Sequence, residues 1–270
     1  MSDDKPEQIS LTGDYKPFER QLIELGVTGD AIGQFRDFVN RSGERGQLIA
    51  SRFQLLLDTP PDERLTKADQ ELGDVMRQGW LERGYEMHSS IREHSIGLAR
   101  IIKQYQAEGM PEDTTRMQHM ARYHDIAEAI ITDFTPKEKE LYGLDDALKH
   151  TLETMALAVI FESPLHHGVC ALVEAYEGRA CEDAKLTSDI DKCYAVMEAI
   201  DIDRRYGDAA EPFFNEVSQQ LRESNKLSTD VGEALMKKLE NPKERCAVMA
   251  QFDLANIQLR DPLGPQAVSR

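Results

Sequence analysis

Tyr123-His124-Asp125-Ile126-Ala127-Glu128-Ala129-Ile130-Ile131-Thr132-Asp133-Phe134-Thr135-Pro136 is the stretch from which the fold is read. Ile126, Ala127, Ala129, Ile130 and Ile131 are apolar and surround three ionisable residues, His124, Asp125 and Glu128. The stretch lacks the sustained alternation of β-branched residues that marks a half-buried strand. The spacing predicts a helix from Pro111-Glu112-Asp113 to about Ile131. A fresh start follows at Thr135-Pro136-Lys137-Glu138, where Pro suits the first turn. The same character extends outward. Residues 14–57 read as two or three helices, followed by a break at Thr59-Pro60-Pro61-Asp62 and a helix from about Lys67 to Arg77. Gly79 and Gly84 mark an irregular stretch, and a helix is expected from Ser89 to about Ala107. Beyond the quoted stretch, helices are predicted over 144–162, 165–177, 181–205, 209–224 and 229–240, with a last one opening at Asn241-Pro242. The expected fold class is all-α, mostly one compact bundle.

Length and composition bound the function. A chain of 270 residues buries a core without disulfides or structural metals, as one large domain or one domain with extensions. No apolar run approaches the ~18 residues of a membrane span. Met1 to Glu7 has no apolar signal core, so a cytoplasmic location and no membrane partner are expected. With 32 basic against 49 acidic residues the net charge is −17, which repels long phosphate backbones and disfavours duplex nucleic acid as a partner. A small anion stays compatible if a metal or a few Arg residues neutralise it locally. Cys170, Cys181, Cys193 and Cys246 form no CxxC pair and sit in apolar-periodic stretches, so they read as buried free thiols.

Three features carry chemistry: His94 within Arg92-Glu93-His94-Ser95, the His124-Asp125 pair, and Asp191 within Ser188-Asp189-Ile190-Asp191-Lys192. Each alone is bland, since a helical His is more often structural than a ligand and a helical Asp is usually solvated. Together they are not, because acids in apolar surroundings are paired or metal-bound. Imidazole with carboxylate suits Mn, Fe, Co, Ni or Zn, and Mg where oxygen ligands are added. Adjacent His and Asp point about 100° apart on a helix and still converge at the mouth of a bundle. Glu128, one turn after His124, is expected to face the same cavity and to act on a water.

The order His…His-Asp…Asp resembles that of the HD-domain metal-dependent phosphohydrolases, and the longer match resembles their 5′-deoxynucleotidase branch. That branch has an R-x-G-W element fourteen residues before the first metal His, as Arg77-Gln78-Gly79-Trp80 stands before His94 here. It also has an HD-x-x-E-x-x-x-x-D block, often followed by Thr-Pro, matched by His124 to Pro136. Glu182 through Lys192 resembles its last metal-binding segment. The resemblance covers roughly residues 70–205. It departs in two places. Some bacterial members have Arg directly before the Trp, where this chain has Gly79. Relatives often have Gly before the second Asp, where this chain has Thr132.

The resemblance implies an HD-domain helical bundle with additional N- and C-terminal helices. Residues 1–66 would be a helical extension, 67–206 the phosphohydrolase core, 207–260 helices packed on it, and 261–270 a disordered tail. It implies one divalent metal ion (Mn, Co, Mg, Ni, Fe or Zn) on His94, His124, Asp125 and Asp191. Glu128 would act on the attacking water, and Asp133 would serve as a general acid/base or orient the water. Trp80 would pack on the sugar, and Arg77 or Arg83 would bind phosphate. The plain alternatives are a surface acid for Glu128, a capping acid for Asp133 and a core position for Trp80.

The set makes chemical sense. A phosphomonoester repels hydroxide by its own charge, and a divalent metal lowers the pKa of bound water and neutralises phosphoryl oxygens. Arg takes remaining oxygens bidentately, and the rest is positioning. The expected reaction is phosphate release from nucleotides, most specifically deoxyribonucleoside 5′-monophosphates. Alternatives are a dNTP triphosphohydrolase drawing on Arg92, Arg100, Lys103 and Arg122, a non-catalytic nucleotide-binding regulatory module, and a two-iron oxygenase. His150 and the His166-His167 pair fall where two-metal relatives insert extra ligands, but the segment around His150 resembles the mononuclear branch. His88 and His119 read as structural or solvent-facing. A nucleotide is the implied partner, and a homodimer is implied by the resemblance alone.

Overall fold

The computed structural model describes residues 16–82, 89–105, 107–206, 214–215, 217–219 and 227–252. Among the described residues the regular elements are helical, with one isolated antiparallel bridge between Met76 and Ser90. In chain order they are α1 (Lys16–Glu24), α2 (Gly29–Arg41), α3 (Gly43–Asp58), α4 (Pro61–Glu71), α5 (Gln78–Leu81), α6 (Ile91–Gln104) and α7 (Thr115–Tyr123). There follow α8 (Glu128–Ile131), α9 (Pro136–Tyr142), α10 (Asp146–Ile160), α11 (His167–Glu177), α12 (Glu182–Tyr206), α13 (Asp230–Glu240) and α14 (Pro242–Gln251). The all-α expectation holds. No single described helix is long and apolar enough to cross a membrane. The contacts divide the chain into two units: residues up to Ile91 with 126–167, and 92–125 with 168 onward.

The first unit is built by capped helices. Thr28 accepts the Ala31 amide at the start of α2, and Asp145 accepts Leu148 at the start of α10. Thr135 and Glu138 form a reciprocal capping box at α9, with Pro136 in the first turn as the sequence predicts. Phe18, Phe35 and Phe53 cluster with centroids 5.1–6.2 Å apart, joining α1, α2 and α3. Each buried aromatic ring of this kind stabilises by roughly 1.5–3 kcal/mol. Gly46 lets α2 and α3 approach: a Cβ there would lie 2.3 Å from the Val39 carbonyl oxygen. Arg64 of α4 is buried and donates to the carbonyls of Leu57, Thr59 and Val159, tying α4 to the end of α3 and to α10.

The second unit is organised on α12, which packs on α7 and α13. Leu98, Ile102, Met197, Leu235 and Phe252 are among its buried residues. Asp189 is fully buried on α12 and accepts Ser228 N at 2.8 Å, Thr229 N at 2.7 Å and Thr229 Oγ1 at 2.8 Å. Thr229 in turn caps α13, so one carboxylate fixes the N-terminus of a neighbouring helix.

Three expectations need correction. The helix expected from Lys67 begins at Pro61, because Pro61 occupies the first turn and Asp62 and Glu63 meet the helix dipole there. The helix expected through Ile131 stops at Tyr123, and residues 124–127 are turns before α8. The one-turn spacing argument for Glu128 assumed a continuous helix, which the chain does not have at residues 124–127. The cysteines are all free, but only Cys193 is buried, and Cys246 is exposed. Val248 and Met249 of α14 turn inward, while Cys246 and Ala247 face outward. Of the helix expected over 209–224, residues 214–215 and 217–219 are described and helical. The expected tail at 261–270 lies outside the described residues.

Candidate metal centre

Four side chains of the second unit converge. His94 lies on α6, His124 caps the C-terminus of α7, Asp125 follows it, and Asp191 lies on α12. Ligand atoms of His94, His124 and Asp125 all lie within 4.8 Å of one another. His94 Nε2 stands 2.9 Å from Asp191 Oδ1, and His124 Nε2 stands 3.0 Å from Asp125 Oδ2 and 3.9 Å from Asp191 Oδ1.

Both imidazoles are held from behind. His124 Nδ1 donates to the Ala121 carbonyl at 2.8 Å. A carbonyl only accepts, so Nδ1 carries hydrogen and Nε2 faces the acids. His94 Nδ1 lies 3.1 Å from Glu198 Oε2, a carboxylate two helical turns beyond Asp191 on α12. The His94 ring stacks on Tyr194, with centroids 5.0 Å apart and planes 16° apart. Tyr176 of α11 donates its hydroxyl to Asp191 Oδ2 at 3.2 Å and meets the His124 ring edge-on. Histidines oriented by a carboxylate or carbonyl behind them are the usual support of a metal site.

The electrostatics follow from this crowding. Burial works to neutralise His124, but Asp125 and then Asp191 outweigh it and push its pKa up to about 9. Burial opposes the Asp125 charge, while His124 holds its pKa below the ordinary carboxylate value. Burial and the charges of Asp191 and Asp125 push Tyr176 well above the usual phenol range, so it stays a hydrogen-bond donor. The histidine side chains are only 2% and 3% exposed, but Asp191 and Asp125 keep 23% and 29%. The acids form the open side of the site. Ligands about 2.1 Å from one ion stand roughly 3–4 Å apart, and the 2.9, 3.0 and 3.9 Å separations that link His94, His124, Asp125 and Asp191 suit a divalent ion.

The other predicted residues lie in the first unit. Trp80 is buried at 5% exposure, with the Arg77 guanidinium 5.4 Å from its ring centroid. Its ring thus belongs largely to that unit's core. Asp133 Oδ2 accepts the Gln78 amide at 2.7 Å, beside Arg77 in the chain. Asp133 and Glu128, the first residue of α8, are both half-buried. Thr132 between them is buried at φ 66° and ψ 169°, and its Oγ1 has no hydrogen-bond partner. Only Gly adopts that conformation readily, at a cost to other residues of about 1–3 kcal/mol. Arg83 and His88 lie outside the described residues. The metal-ligand cluster found among the described residues contains neither His150, which is exposed, nor the His166-His167 pair. Burial pulls the His166 pKa below its ordinary value, against the opposing charge of Asp62.

A sequence profile of the family described as HD domain matches residues 70–232. The chain belongs to the HD-domain family. Within this HD domain fall all four clustered side chains, together with Glu128, Asp133, Arg77 and Trp80, whereas α1 to α3 precede it. The chain is 27% identical over 132 residues to the 5′-deoxynucleotidase HDDC2 of Mus musculus, a match covering 48% of this chain and 63% of that protein. It is 28% identical over 137 residues to the 5′-deoxynucleotidase hdd1 of Schizosaccharomyces pombe, covering 48% and 66%. The matched region thus spans slightly under two thirds of these relatives. The fold resembles a conserved hypothetical protein from Pyrococcus furiosus, with TM-score 0.52 and 22% identity over 65% of this chain and 97% of that one.

Reading the residues alone missed the support of this HD site. Glu198 carries a recoverable signal: it lies seven residues after Asp191, on the same side of one helix. Tyr194, three residues after Asp191, carries the same signal, whereas Tyr176 carries none, since only the packing of α11 on α12 brings it to His124.

Proposed function

We propose that this HD-domain chain is a metal-dependent phosphohydrolase that releases phosphate from nucleotides, with deoxyribonucleoside 5′-monophosphates as its substrates. The observation that carries the reading is the convergence of His94, His124, Asp125 and Asp191, with both imidazole Nδ1 atoms already engaged from behind. Those four residues would hold one divalent ion. Once bound, it supplies positive charge for phosphoryl oxygens and a more acidic water. The similarity to 5′-deoxynucleotidases supports the choice of substrate.

The chain's own residues then supply position. Glu128 holds the attacking water in line, since phosphoryl transfer depends mostly on alignment and charge. Asp133, held by the Gln78 amide, orients that water or exchanges its proton. Arg77 or Arg83 takes phosphate oxygens, and Trp80 packs on the sugar. Residues 67–206 form the catalytic core in this account, and the chain works as a homodimer.

The test strips metal from the protein, restores Mn, Co, Mg, Ni, Fe or Zn in turn, and measures release from deoxy- and ribonucleoside mono- and triphosphates. Orthophosphate from deoxymonophosphates, lost in Glu128→Ala and Asp125→Ala, is the expected result. Tripolyphosphate from triphosphates would overturn the substrate assignment and keep the metal site. No release with any ion would overturn the enzymatic reading.

A further inference from the structure

We propose that α2 and α3, which precede the matched HD region, act as an arginine clamp on the loop carrying Glu128 and Asp133, with Arg45 and Arg52 as positioning residues. The inference rests on the reading of those two acids as parts of the reaction. Arg52 Nη1 donates to the Ala129 carbonyl at 2.7 Å, and Arg45 donates to the Asp133 carbonyl. Arg41 donates to the carbonyls of Tyr142 and Gly143, both at 3.0 Å. All four acceptors are main-chain atoms between Ala129 and Gly143, so the guanidiniums fix backbone rather than side chains.

Two features make this more than general packing. First, the carbonyls held by Arg52 and Arg45 bracket Thr132, whose backbone occupies a conformation proper to Gly. Such a residue persists only where the surroundings hold both sides of it. Second, the Asp133 carboxylate is itself docked on the Gln78 amide. Relaxation at Thr132 would rotate the following peptide and withdraw that carboxylate. The Arg45 guanidinium also lies 4.9 Å over the Phe134 ring and 3.9 Å from Glu138, so its own position is set by the segment it holds. Arg45 and Arg52 are seven residues apart and share one side of α3. Gly46 keeps α2 and α3 close enough to act as one piece.

The experiment uses the full chain with Arg45→Met, Arg52→Met and the double variant, and repeats them in a Thr132→Gly background. Amide hydrogen exchange is read in the metal-free protein, and kcat and KM are read with deoxyadenosine 5′-monophosphate and Mn(II). The clamp predicts about tenfold faster exchange at residues 128–135 in each single variant, with exchange in α13 unchanged. It predicts a kcat about tenfold lower with KM within about twofold. Arg45→Lys recovers part of the loss, and Thr132→Gly shrinks it, because the strained residue that needs holding is gone. Unchanged exchange at 128–135 in both single variants and the double would overturn the clamp. So would faster exchange spread evenly over the first unit, which marks general destabilisation. A wild-type chain that releases no phosphate would sink the proposed function, and the exchange data would still decide the clamp.

Discussion

The metal cluster and the acid-bearing loop reach order by different means. In the second unit, His94 and Asp191 sit inside long helices, and their support (Glu198, Tyr194, Tyr176) comes from side chains on α11 and α12. The backbone at those two residues is regular, and the precision is in side-chain contacts; His124 and Asp125 lie in the turn after α7. In the first unit, Asp133 follows a four-residue helix and a Thr at positive φ, and its support comes from guanidiniums bound to carbonyls. There the backbone itself must be held. Groups set on rigid elements need little further support, whereas groups set on loops need it from outside. The regular half of the contrast lies wholly within the HD region, and the irregular half borrows from helices before it.

If that contrast is right, damage to the second unit should be the more costly. Asp189→Ala should lower stability by about 3–5 kcal/mol in urea denaturation, because it removes a fully buried carboxylate that accepts the Ser228 and Thr229 amides and the Thr229 hydroxyl. A loss below about 1 kcal/mol would mean that α13 is held by other contacts. The metal-free cluster should also carry a pH signature. Asp125 and Asp191 raise the folded pKa of His124 from 6.5 to about 9 against the effect of burial. Its contribution is therefore complete below about pH 6.5 and is lost as pH rises through about 9. The metal-free chain should lose on the order of 2–3 kcal/mol across that window, seen as a falling Tm. A Tm that rises towards pH 9 would contradict the His124–Asp125 pairing.

Smaller effects sharpen the comparison. Glu198→Gln leaves the four ligands in place but weakens the support behind His94. It should cost roughly 10–100-fold in Mn(II) affinity by calorimetric titration, and an unchanged affinity would remove Glu198 from the site. The smallest effect has the opposite sign. Thr132→Gly should stabilise the protein by about 1 kcal/mol, the relief of strain being partly offset by the greater freedom of Gly in the unfolded chain. Destabilisation there would show that the Thr132 methyl packs better than its backbone is strained.

The parts of the fold written in local chemistry were legible. Thr135-Pro136 and Asn241-Pro242 open helices where they were expected to, because a cap and a first-turn Pro act within a few residues. The set His94, His124, Asp125 and Asp191 was legible through its resemblance in order and spacing to the HD-domain family, with the apolar surroundings of the acids as the physical hint. The end of α7 at Tyr123 was not, since the apolar pattern runs on unbroken through Ile131 and the break belongs to the tertiary fold. Asp189 stood beside Asp191 in the sequence without any sign that one caps a helix and the other faces the histidines. The arginine contacts had no trace at all, because a main-chain carbonyl looks the same at every position. Thr132 was visible only as a departure from the Gly of relatives, and the structure shows the φ that makes the departure matter.

The central claim is one divalent ion held by four side chains of the HD domain, and metal stoichiometry tests it most directly. Metal-free protein dialysed against Mn(II) and assayed by atomic absorption should retain one ion per chain. Asp191→Ala and His124→Ala, still folded by circular dichroism, should retain none. Two ions per chain, or one ion kept equally well by both variants, would contradict it.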